Sequence, residues 1–163
     1  VHALLAPGGD AINAVAATFP DVLTKTGGID RQALGALVFA DDLKKKQLEN
    51  ILHPLVVASQ SRFISEQIKR GAPLVVLDIP LLYETGAEAR VDKVIVVSAP
   101  SFIQRARVMK RPGMSREKFE NILKSQIRDA EKRRRADYVV QTGIGMAYTR
   151  RALARIIQQL NAQ

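Results

Sequence analysis

A short apolar run near the middle of the chain ends in a carboxylate and a proline. The residues LVVL at 74–77 are followed by Asp78 and, after one isoleucine, by Pro80. Consecutive apolar residues are typical of a strand that is buried on both faces in a parallel sheet. Because ligands of such sheets bind beyond the carboxyl ends of the strands, we predict a strand at 74–78 that carries Asp78 into a ligand site. There the carboxylate could meet Mg²⁺, a water molecule or a hydroxyl group; the alternative is that it only caps the loop.

Helical segments separate this strand from two others. Apolar residues predict further strands at 93–98 and 137–141. Asp30 and Ser115 stand at N-cap positions, each before apolar residues with helical spacing. Short apolar strands that alternate with helices predict an α/β fold, with a parallel sheet flanked by helices.

Proline and glycine mark the expected ends of two further helices. Because proline removes a helical donor, we expect one helix to end near Leu52 and another to begin at Pro54. The second helix should run to Arg70, where Gly71 closes it. His53 lies at the junction, and a histidine before a proline more often caps a helix than acts as a base. The same junction could also touch a substrate.

The whole chain carries a net charge of +9, and its basic residues are concentrated in the last part. Residues 101–163 hold 15 Lys/Arg against 5 Asp/Glu, whereas residues 1–100 hold 10 against 11. This asymmetry indicates an anionic partner, either nucleic acid or a phosphate-rich small molecule, although a solvated basic face is the ordinary alternative. Only three Tyr, five Phe and no Trp are present to stack on bases, so we do not predict a nucleic-acid partner.

The basic segment contains a pattern suited to phosphate. Gln104, Arg107 and Arg111 are spaced three and four residues apart, which predicts one face of a helix that begins at Pro100. Guanidinium groups offer fixed, forked donors and keep their charge, so a row of them suits phosphate oxygens. An ordinary basic surface helix is the alternative interpretation.

The apolar runs and the cysteine content of the chain indicate its cellular compartment. No apolar run approaches the roughly 20 residues of a membrane span, and VHALLAPGG at the N-terminus lacks the pattern of a signal peptide. The chain has no cysteine, which favours the cytoplasm. The sequence begins without methionine, inside a predicted helix, so we expect that a segment precedes it.

Five motifs follow one another along the chain: GGIDRQALGALVF at 27–39, LENILHPLV at 48–56, LDIPLLYE at 77–84, Gln-x-x-Arg-x-x-x-Arg at 104–111, and Gln126 followed by EKRRRADYVVQTG at 131–143. In this order they resemble the motifs of the dephospho-CoA kinases. The resemblance implies a P-loop kinase fold with an inserted helical substrate lobe and a lid. It also implies transfer of the γ-phosphoryl group of ATP, with Mg²⁺, to the ribose 3′-hydroxyl of dephospho-CoA, the last step of coenzyme A synthesis.

The same resemblance implies roles for the polar residues of the second half. Asp78 would lie at the phosphate end of its strand and, with Arg111, would be catalytic. Arg107 and Arg111 would belong to the lid that covers the transferring phosphoryl group and would bind ATP. Thr142 and Gly143, after the last strand, would hold the adenine. No protein ligands for the metal are predicted.

Other residues are implied to bind the acceptor, dephospho-CoA. They are Arg31, His53, Pro80, Leu81, Leu82 and Tyr83. The implied organisation is a single kinase domain, with a mainly helical CoA lobe at 1–72, a core at 73–100 and 136–163, and a lid region at 101–135.

One motif of the family does not occur in the chain. P-loop kinases cradle phosphates with GxxxxGK[ST], but GGDAI at 8–12 and TGGID at 26–30 lack its Gly-Lys-Ser/Thr ending. In the family this motif precedes the residues equivalent to Val1. We therefore expect the chain to be a competent kinase only when that segment is supplied; the alternatives are a non-catalytic remnant that binds CoA or nucleotides, and a basic nucleic-acid-binding module.

The missing segment also has a structural consequence. In this fold the first strand lies between the strands that we predict at 74–78 and 93–98. Without it, two apolar strand edges would be unpaired, which predicts self-association or low stability.

Overall fold

A computed structural model describes residues 1–39 and 41–162 of the chain. The chain divides into two units, Val1–Leu77 and Asp78–Gln163. Among the described residues, no helix is both long enough and apolar enough to cross a membrane.

The first unit is helical. Its helices are α1 (His2–Leu5), α2 (Ile12–Thr18), α3 (Arg31–Phe39) and α4 (Asp42–Lys69), with a 3-10 turn at Pro20–Val22. Apolar side chains from the three shorter helices, the loops and α4 form one buried cluster: Leu4, Leu5, Ala11, Val15, Phe19, Val22, Ile29, Leu34 and Leu52. The predicted N-cap of α3 is confirmed, because Asp30 Oδ1 accepts hydrogen bonds from the backbone N–H of Gln32 at 2.9 Å and of Ala33 at 3.0 Å.

The helix break predicted at Pro54 is wrong, because α4 is continuous for 28 residues with Pro54 inside it. Proline deletes one backbone donor from a helix. Leu52 on one side of the proline is buried in the core, and Leu55 and Val56 on the other side pack against it. Packing on both sides of Pro54 keeps the two halves in register. The predicted end is confirmed, with Arg70 as C-cap and Gly71 at φ +70°.

The second unit combines a small parallel sheet with helices. It contains a 3-10 turn at Ala87–Arg90, β1 (Ile95–Ser98), α5 (Ser101–Met109), α6 (Arg116–Ser125), α7 (Asp129–Arg135), β2 (Tyr138–Gln141) and α8 (Met146–Asn161). The two strands pair in parallel, with Val96 opposite Val139 and Ser98 opposite Gln141. The strands predicted at 93–98 and 137–141 are thus confirmed. The N-cap at Ser115 is confirmed as well, since its Oγ accepts from the backbone N–H of Lys118 at 3.1 Å.

The strand predicted at 74–78 is wrong. No strand is assigned there, exposed and half-buried residues alternate, and Val76 is 72% exposed. A strand persists by exchanging backbone hydrogen bonds with a neighbour. Within the described residues, the sheet contains only β1 and β2. The segment LVVLD therefore has the composition of a buried strand without a partner strand to pair with.

Candidate functional site

The loop after β2 is bonded directly to the end of β1. The backbone N–H of Thr142 donates to the Ser98 carbonyl at 2.7 Å, and Thr142 Oγ1 donates to the same carbonyl at 3.0 Å. Both contacts lie at the carboxyl ends of the parallel strands, which is where α/β sheets bind ligands. The loop at 142–145 is therefore held at the ligand-binding edge of the sheet.

Arg107 reaches this loop from α5. Its Nη2 donates to the Thr142 carbonyl at 2.7 Å, and its Nη1 donates to Thr142 Oγ1 at 3.2 Å. Both acceptors are neutral, and no ion pair of Arg107 occurs among the described residues. The guanidinium is exposed and has no carboxylate partner among the described residues, which suits an anionic or aromatic ligand.

A cavity of about 370 Å³ opens beside these contacts. Its walls come from α5, from the loop after β2 and from the first turn of α8: Arg107, Thr142, Gly143, Ile144, Gly145, Met146 and Thr149. Ile144 is 65% exposed and Met146 is 71% exposed, so apolar surface borders the cavity. Apolar walls with backbone polar groups and one cation have the chemistry to hold a nucleobase.

Gly143 allows the loop to approach the start of α5. A Cβ atom at this position would lie 2.9 Å from Pro100 Cδ and 3.1 Å from Ile103 Cδ1. Both distances are too short for a normal carbon–carbon contact. The close approach of the two segments therefore requires glycine here.

A polar network lies behind the loop. Ser98, only 4% exposed, donates from Oγ to both carboxylate oxygens of Asp129 at 2.9 Å. Gln104 Nε2 donates to the Ala99 carbonyl at 2.7 Å and to Asp129 Oδ1 at 3.2 Å. The carboxylate of Asp129, at the first residue of α7, thus connects three elements of the second unit.

The segment after Asp78 contains one buried aromatic residue. Tyr83 is 7% exposed, and the Arg135 guanidinium lies 4.2 Å from its ring centroid. Its hydroxyl is buried and has no hydrogen-bond partner among the described residues. Burial raises the pKa of Tyr83 above its usual value of 10.0, an effect that Arg135 opposes and Glu88 reinforces. Glu88 also forms an ion pair with Arg135.

Glu84 links the same segment to α7. Its Oε1 lies 2.6 Å from Lys132 Nζ and accepts from the backbone N–H of Ile127 at 3.1 Å. Burial raises the pKa of Glu84, but the hydrogen bonds from Lys132 and from the backbone outweigh it, and the pKa lies below its usual 4.5. The segment containing Tyr83 and Glu84 is therefore fixed to α7 by charge as well as by packing.

The remaining predicted residues are not gathered at the loop after β2. Arg111 follows the end of α5 at Met109, so the prediction that it shares a helical face with Gln104 and Arg107 is wrong. Asp78 is exposed, and the structure gives its side chain no hydrogen bond or ion pair among the described residues. Pro80 and Leu81 are exposed and Leu82 is half-buried.

Two predicted substrate residues belong to the first unit. Arg31 is the first residue of α3 and His53 lies inside α4, and both are exposed. That unit has its own cavity of about 560 Å³, lined by Asp21, Val22, Ala33, Ala36, Leu37, Asp41 and Lys44. Its two carboxylates disfavour polyphosphate, whereas its apolar wall suits an uncharged part of a ligand.

Sequence reasoning missed Asp129 and Ser98. Asp129 stands directly before a charge-dense segment that the sequence alone does not connect to the sheet, and Ser98 is the last residue of a predicted strand. The available signal was Ser98 itself, because a hydroxyl at the end of a buried apolar strand needs a hydrogen-bond partner.

Comparison with known proteins agrees with this geometry. A parallel sheet with a cavity at the carboxyl ends of its strands is the arrangement of a ligand-binding α/β protein. The model of the dephospho-CoA kinase family matches residues 1–147. The chain is 48% identical to the dephospho-CoA kinase of Rhizobium meliloti, over 99% of this chain and 82% of that protein. It is 47% identical to the enzyme of Novosphingobium aromaticivorans, over 98% and 78%.

Solved structures lead to the same family. The dephospho-CoA kinase from Campylobacter jejuni matches with a TM-score of 0.69 and 30% identity, over 94% of this chain and 78% of its own. A Thermus thermophilus crystal structure matches with a TM-score of 0.72 and 35% identity, over 90% and 74%. The chain belongs to the dephospho-CoA kinase family. The predicted fold class, family and reaction, ATP-dependent phosphorylation of dephospho-CoA in coenzyme A biosynthesis, are confirmed.

Proposed function

We propose that the loop at 142–146 and Arg107 hold the adenine end of ATP in this chain. The observation that carries the proposal is the pair of hydrogen bonds from Arg107 to Thr142 beside the 370 Å³ cavity. The base would lie against Ile144 and Met146, with the Arg107 plane over it. Gly143 keeps the floor of this cavity close to α5.

Phosphoryl transfer would follow from positioning and charge. The 3′-hydroxyl oxygen of dephospho-CoA forms a bond to the γ-phosphorus while the bond from that phosphorus to the β,γ-bridging oxygen breaks and ADP leaves. Asp78, which is exposed and has no ion pair within residues 1–39 and 41–162, orients the hydroxyl and accepts its proton. Arg111, exposed in the turn after α5, neutralises charge on the transferring group.

Mg²⁺ would enter with ATP. Among residues 1–39 and 41–162, no group of three His, Cys, Asp or Glu side chains could hold a metal ion. Mg²⁺ commonly keeps several water molecules and binds through substrate phosphates, so the phosphates of ATP would hold most of its coordination shell. The ion would supply further charge neutralisation on the phosphates.

The roles of the acceptor residues are proposed from the resemblance to the family. We assign Arg31, His53, Pro80, Leu81, Leu82 and Tyr83 to dephospho-CoA, with residues 1–72 as the CoA lobe. The core would comprise 73–100 and 136–163, and the lid 101–135. We expect the reaction to take place in the cytoplasm, without a nucleic-acid or membrane partner.

The experiment compares the 163-residue polypeptide with one extended at its N-terminus by the phosphate-loop segment of a family member. The measured quantity is ATP- and Mg²⁺-dependent phosphorylation of dephospho-CoA. We expect turnover from the extended polypeptide and none from residues 1–163 alone, because GxxxxGK[ST] does not occur in them. D78N in the extended polypeptide should lower kcat by about 100-fold or more, as expected for a general base.

Two results would contradict the proposal. Full turnover by residues 1–163 would show that phosphate binding does not need the added segment. Saturable dephospho-CoA binding without turnover in either polypeptide would favour a binding-only protein.

Unpaired strand edges support a further proposal, self-association of the 163-residue polypeptide. The described sheet has two strands, so each has one edge without a backbone partner, and Val97 on β1 is 64% exposed. Light scattering should find oligomers, which the phosphate-loop extension should reduce. A stable monomer would contradict this.

A further inference from the structure

We infer that Asp129 is a positioning residue for the nucleotide, although it does not itself line the cavity. The inference rests on the proposed nucleotide site and extends it to α7. A chain of hydrogen bonds joins the Asp129 carboxylate to Arg107 and Thr142, the two residues proposed to hold the adenine end.

The first connection runs through the strand. Asp129 accepts from Ser98 Oγ at 2.9 Å with both carboxylate oxygens. The carbonyl of the same serine accepts from the N–H and Oγ1 of Thr142 at 2.7 and 3.0 Å. Asp129 therefore fixes the residue on which the loop after β2 is anchored.

The second connection runs through α5. Gln104 Nε2 donates to Asp129 Oδ1 at 3.2 Å and to the Ala99 carbonyl at 2.7 Å. Gln104 lies one helical turn before Arg107, so this bond fixes the rotation of the turn that carries the arginine. The two connections start at one carboxylate and meet again where Arg107 donates to Thr142.

A purely structural explanation is less complete. Asp129 also forms an ion pair with Arg133, whose Nε lies 3.4 Å from the carboxylate. The two side chains are 38% and 47% exposed, and such surface ion pairs add little stability. The buried partner of the carboxylate is Ser98, at the ligand edge of the sheet. Removing Asp129 should therefore disturb the Arg107–Thr142 geometry more than it disturbs the fold.

The test measures binding of ATP, ADP and dephospho-CoA by calorimetry to the polypeptide extended at its N-terminus by the phosphate-loop segment. D129A should lower the affinity for ATP and for ADP by about 10- to 30-fold, the range expected when hydrogen bonds to a charged group are lost. D129N keeps one acceptor oxygen for Ser98 and Gln104 and should lose only about threefold. Dephospho-CoA binding should change by less than about twofold in folded samples of both variants, because among the described residues Asp129 makes no hydrogen bond with the residues assigned to the acceptor.

R133Q is the matched control, since it removes only the exposed ion pair and should leave nucleotide affinity unchanged. A double-mutant cycle with R107Q separates positioning from general stability. If Asp129 acts through Arg107, D129A should cause little further loss in the R107Q background. Circular dichroism checks that each variant is folded, and D129N keeps the test valid if D129A is not.

The binding results distinguish an error in the proposed nucleotide site from an error in the positioning role of Asp129. If the unsubstituted polypeptide binds dephospho-CoA but neither ATP nor ADP, the proposed nucleotide site is wrong, and the inference about Asp129 is then wrong as well. If the unsubstituted chain binds nucleotide and D129A binds equally well, only the positioning role is wrong. If D129A weakens the binding of ATP, ADP and dephospho-CoA equally, Asp129 is structural. If the loss caused by D129A adds fully to that of R107Q, the connection through Gln104 and Arg107 is wrong and only the connection through Ser98 remains.

Discussion

Arg107 holds Thr142 at two points, the backbone carbonyl at 2.7 Å from Nη2 and the hydroxyl at 3.2 Å from Nη1. One side chain of α5 thus fixes both the backbone and the side chain of the first residue after β2. Only a forked, planar cation can make this pair of contacts in a single orientation.

The substitution R107K tests the importance of this fork. Lysine keeps the charge but has no planar fork and cannot reproduce both contacts, so the Kd for ATP should rise by about tenfold, the effect of one lost charged hydrogen bond. R105K on the same helix is the control; Arg105 stacks on the Phe119 ring, with 5.7 Å between guanidinium and centroid, and makes no contact with the loop. Equal ATP affinity in R107K and the unsubstituted chain would remove Arg107 from the site.

G143A should separate the loop from α5. The added methyl group would lie 2.9 Å from Pro100 Cδ, so the loop must shift, which should cost about 1–3 kcal/mol of stability and weaken ATP binding. Urea unfolding and calorimetry measure the two effects. G35A is a matched control, because a Cβ at Gly35 in α3 meets nothing within 4 Å and alanine should stabilise a helix by up to about 1 kcal/mol. Unchanged stability of G143A would mean that the close approach is not required.

Y83F distinguishes a core role of Tyr83 from a substrate-binding role. The hydroxyl is buried and has no hydrogen-bond partner in the described part of the chain, so its removal should leave the free energy of unfolding unchanged or raise it by up to about 1 kcal/mol. The contact with Arg135 is made by the ring and should persist. If the hydroxyl binds dephospho-CoA, the affinity for that substrate should fall at constant stability. Destabilisation of Y83F by more than this amount would mean that the hydroxyl has a partner in solution.

Acid should unfold the second unit partly through Glu84. Its pKa is lower in the folded chain than the usual 4.5, because the hydrogen bonds from Lys132 and the backbone outweigh the effect of burial. A lowered folded pKa stabilises the fold above about pH 4.5, and this contribution is lost as the pH falls through the lowered value. Asp137 acts in the same direction, because the Val94 N–H and Lys93 hold its pKa below 3.8.

The substitution E84Q measures how much Glu84 contributes to the loss of stability in acid. At pH 7 the variant should be less stable by about 1–3 kcal/mol, since Lys132 loses a half-buried partner. Its unfolding free energy should also depend less on pH below 4.5 than that of the unsubstituted chain. E117Q, at an exposed position of α6, is the control. If E84Q keeps the full acid dependence, the titrating group is elsewhere.

Local signals predicted much of the fold correctly. The N-caps at Asp30 and Ser115 and the helix end at Gly71 depend on neighbouring residues alone, so the sequence contains all the information they need. The strands at 93–98 and 137–141 were predicted from composition. Both were correct because each strand has the other as its partner.

Failures occurred where the outcome depends on distant residues. The segment 74–78 is a run of mostly apolar residues like β1. Pairing with a neighbouring strand decides whether such a segment is a strand. Pro54 is a local signal to end a helix, yet packing of Leu52 and Leu55 on the same core overrides it. Asp129 was missed for the same reason, because its partner Ser98 lies 31 positions earlier in the chain.

The pairing of β1 with β2 also has a kinetic consequence. Ile95 pairs with Tyr138, so α5, α6 and α7 all lie in the connection that must close before the strands meet. Non-local contacts of this kind form slowly, because the chain loses loop entropy before it gains the pairing. The ligand edge should therefore be the last part of the second unit to form during synthesis. A nucleotide that binds only the completed edge would act as a late folding ligand and increase the yield of active protein as its concentration rises.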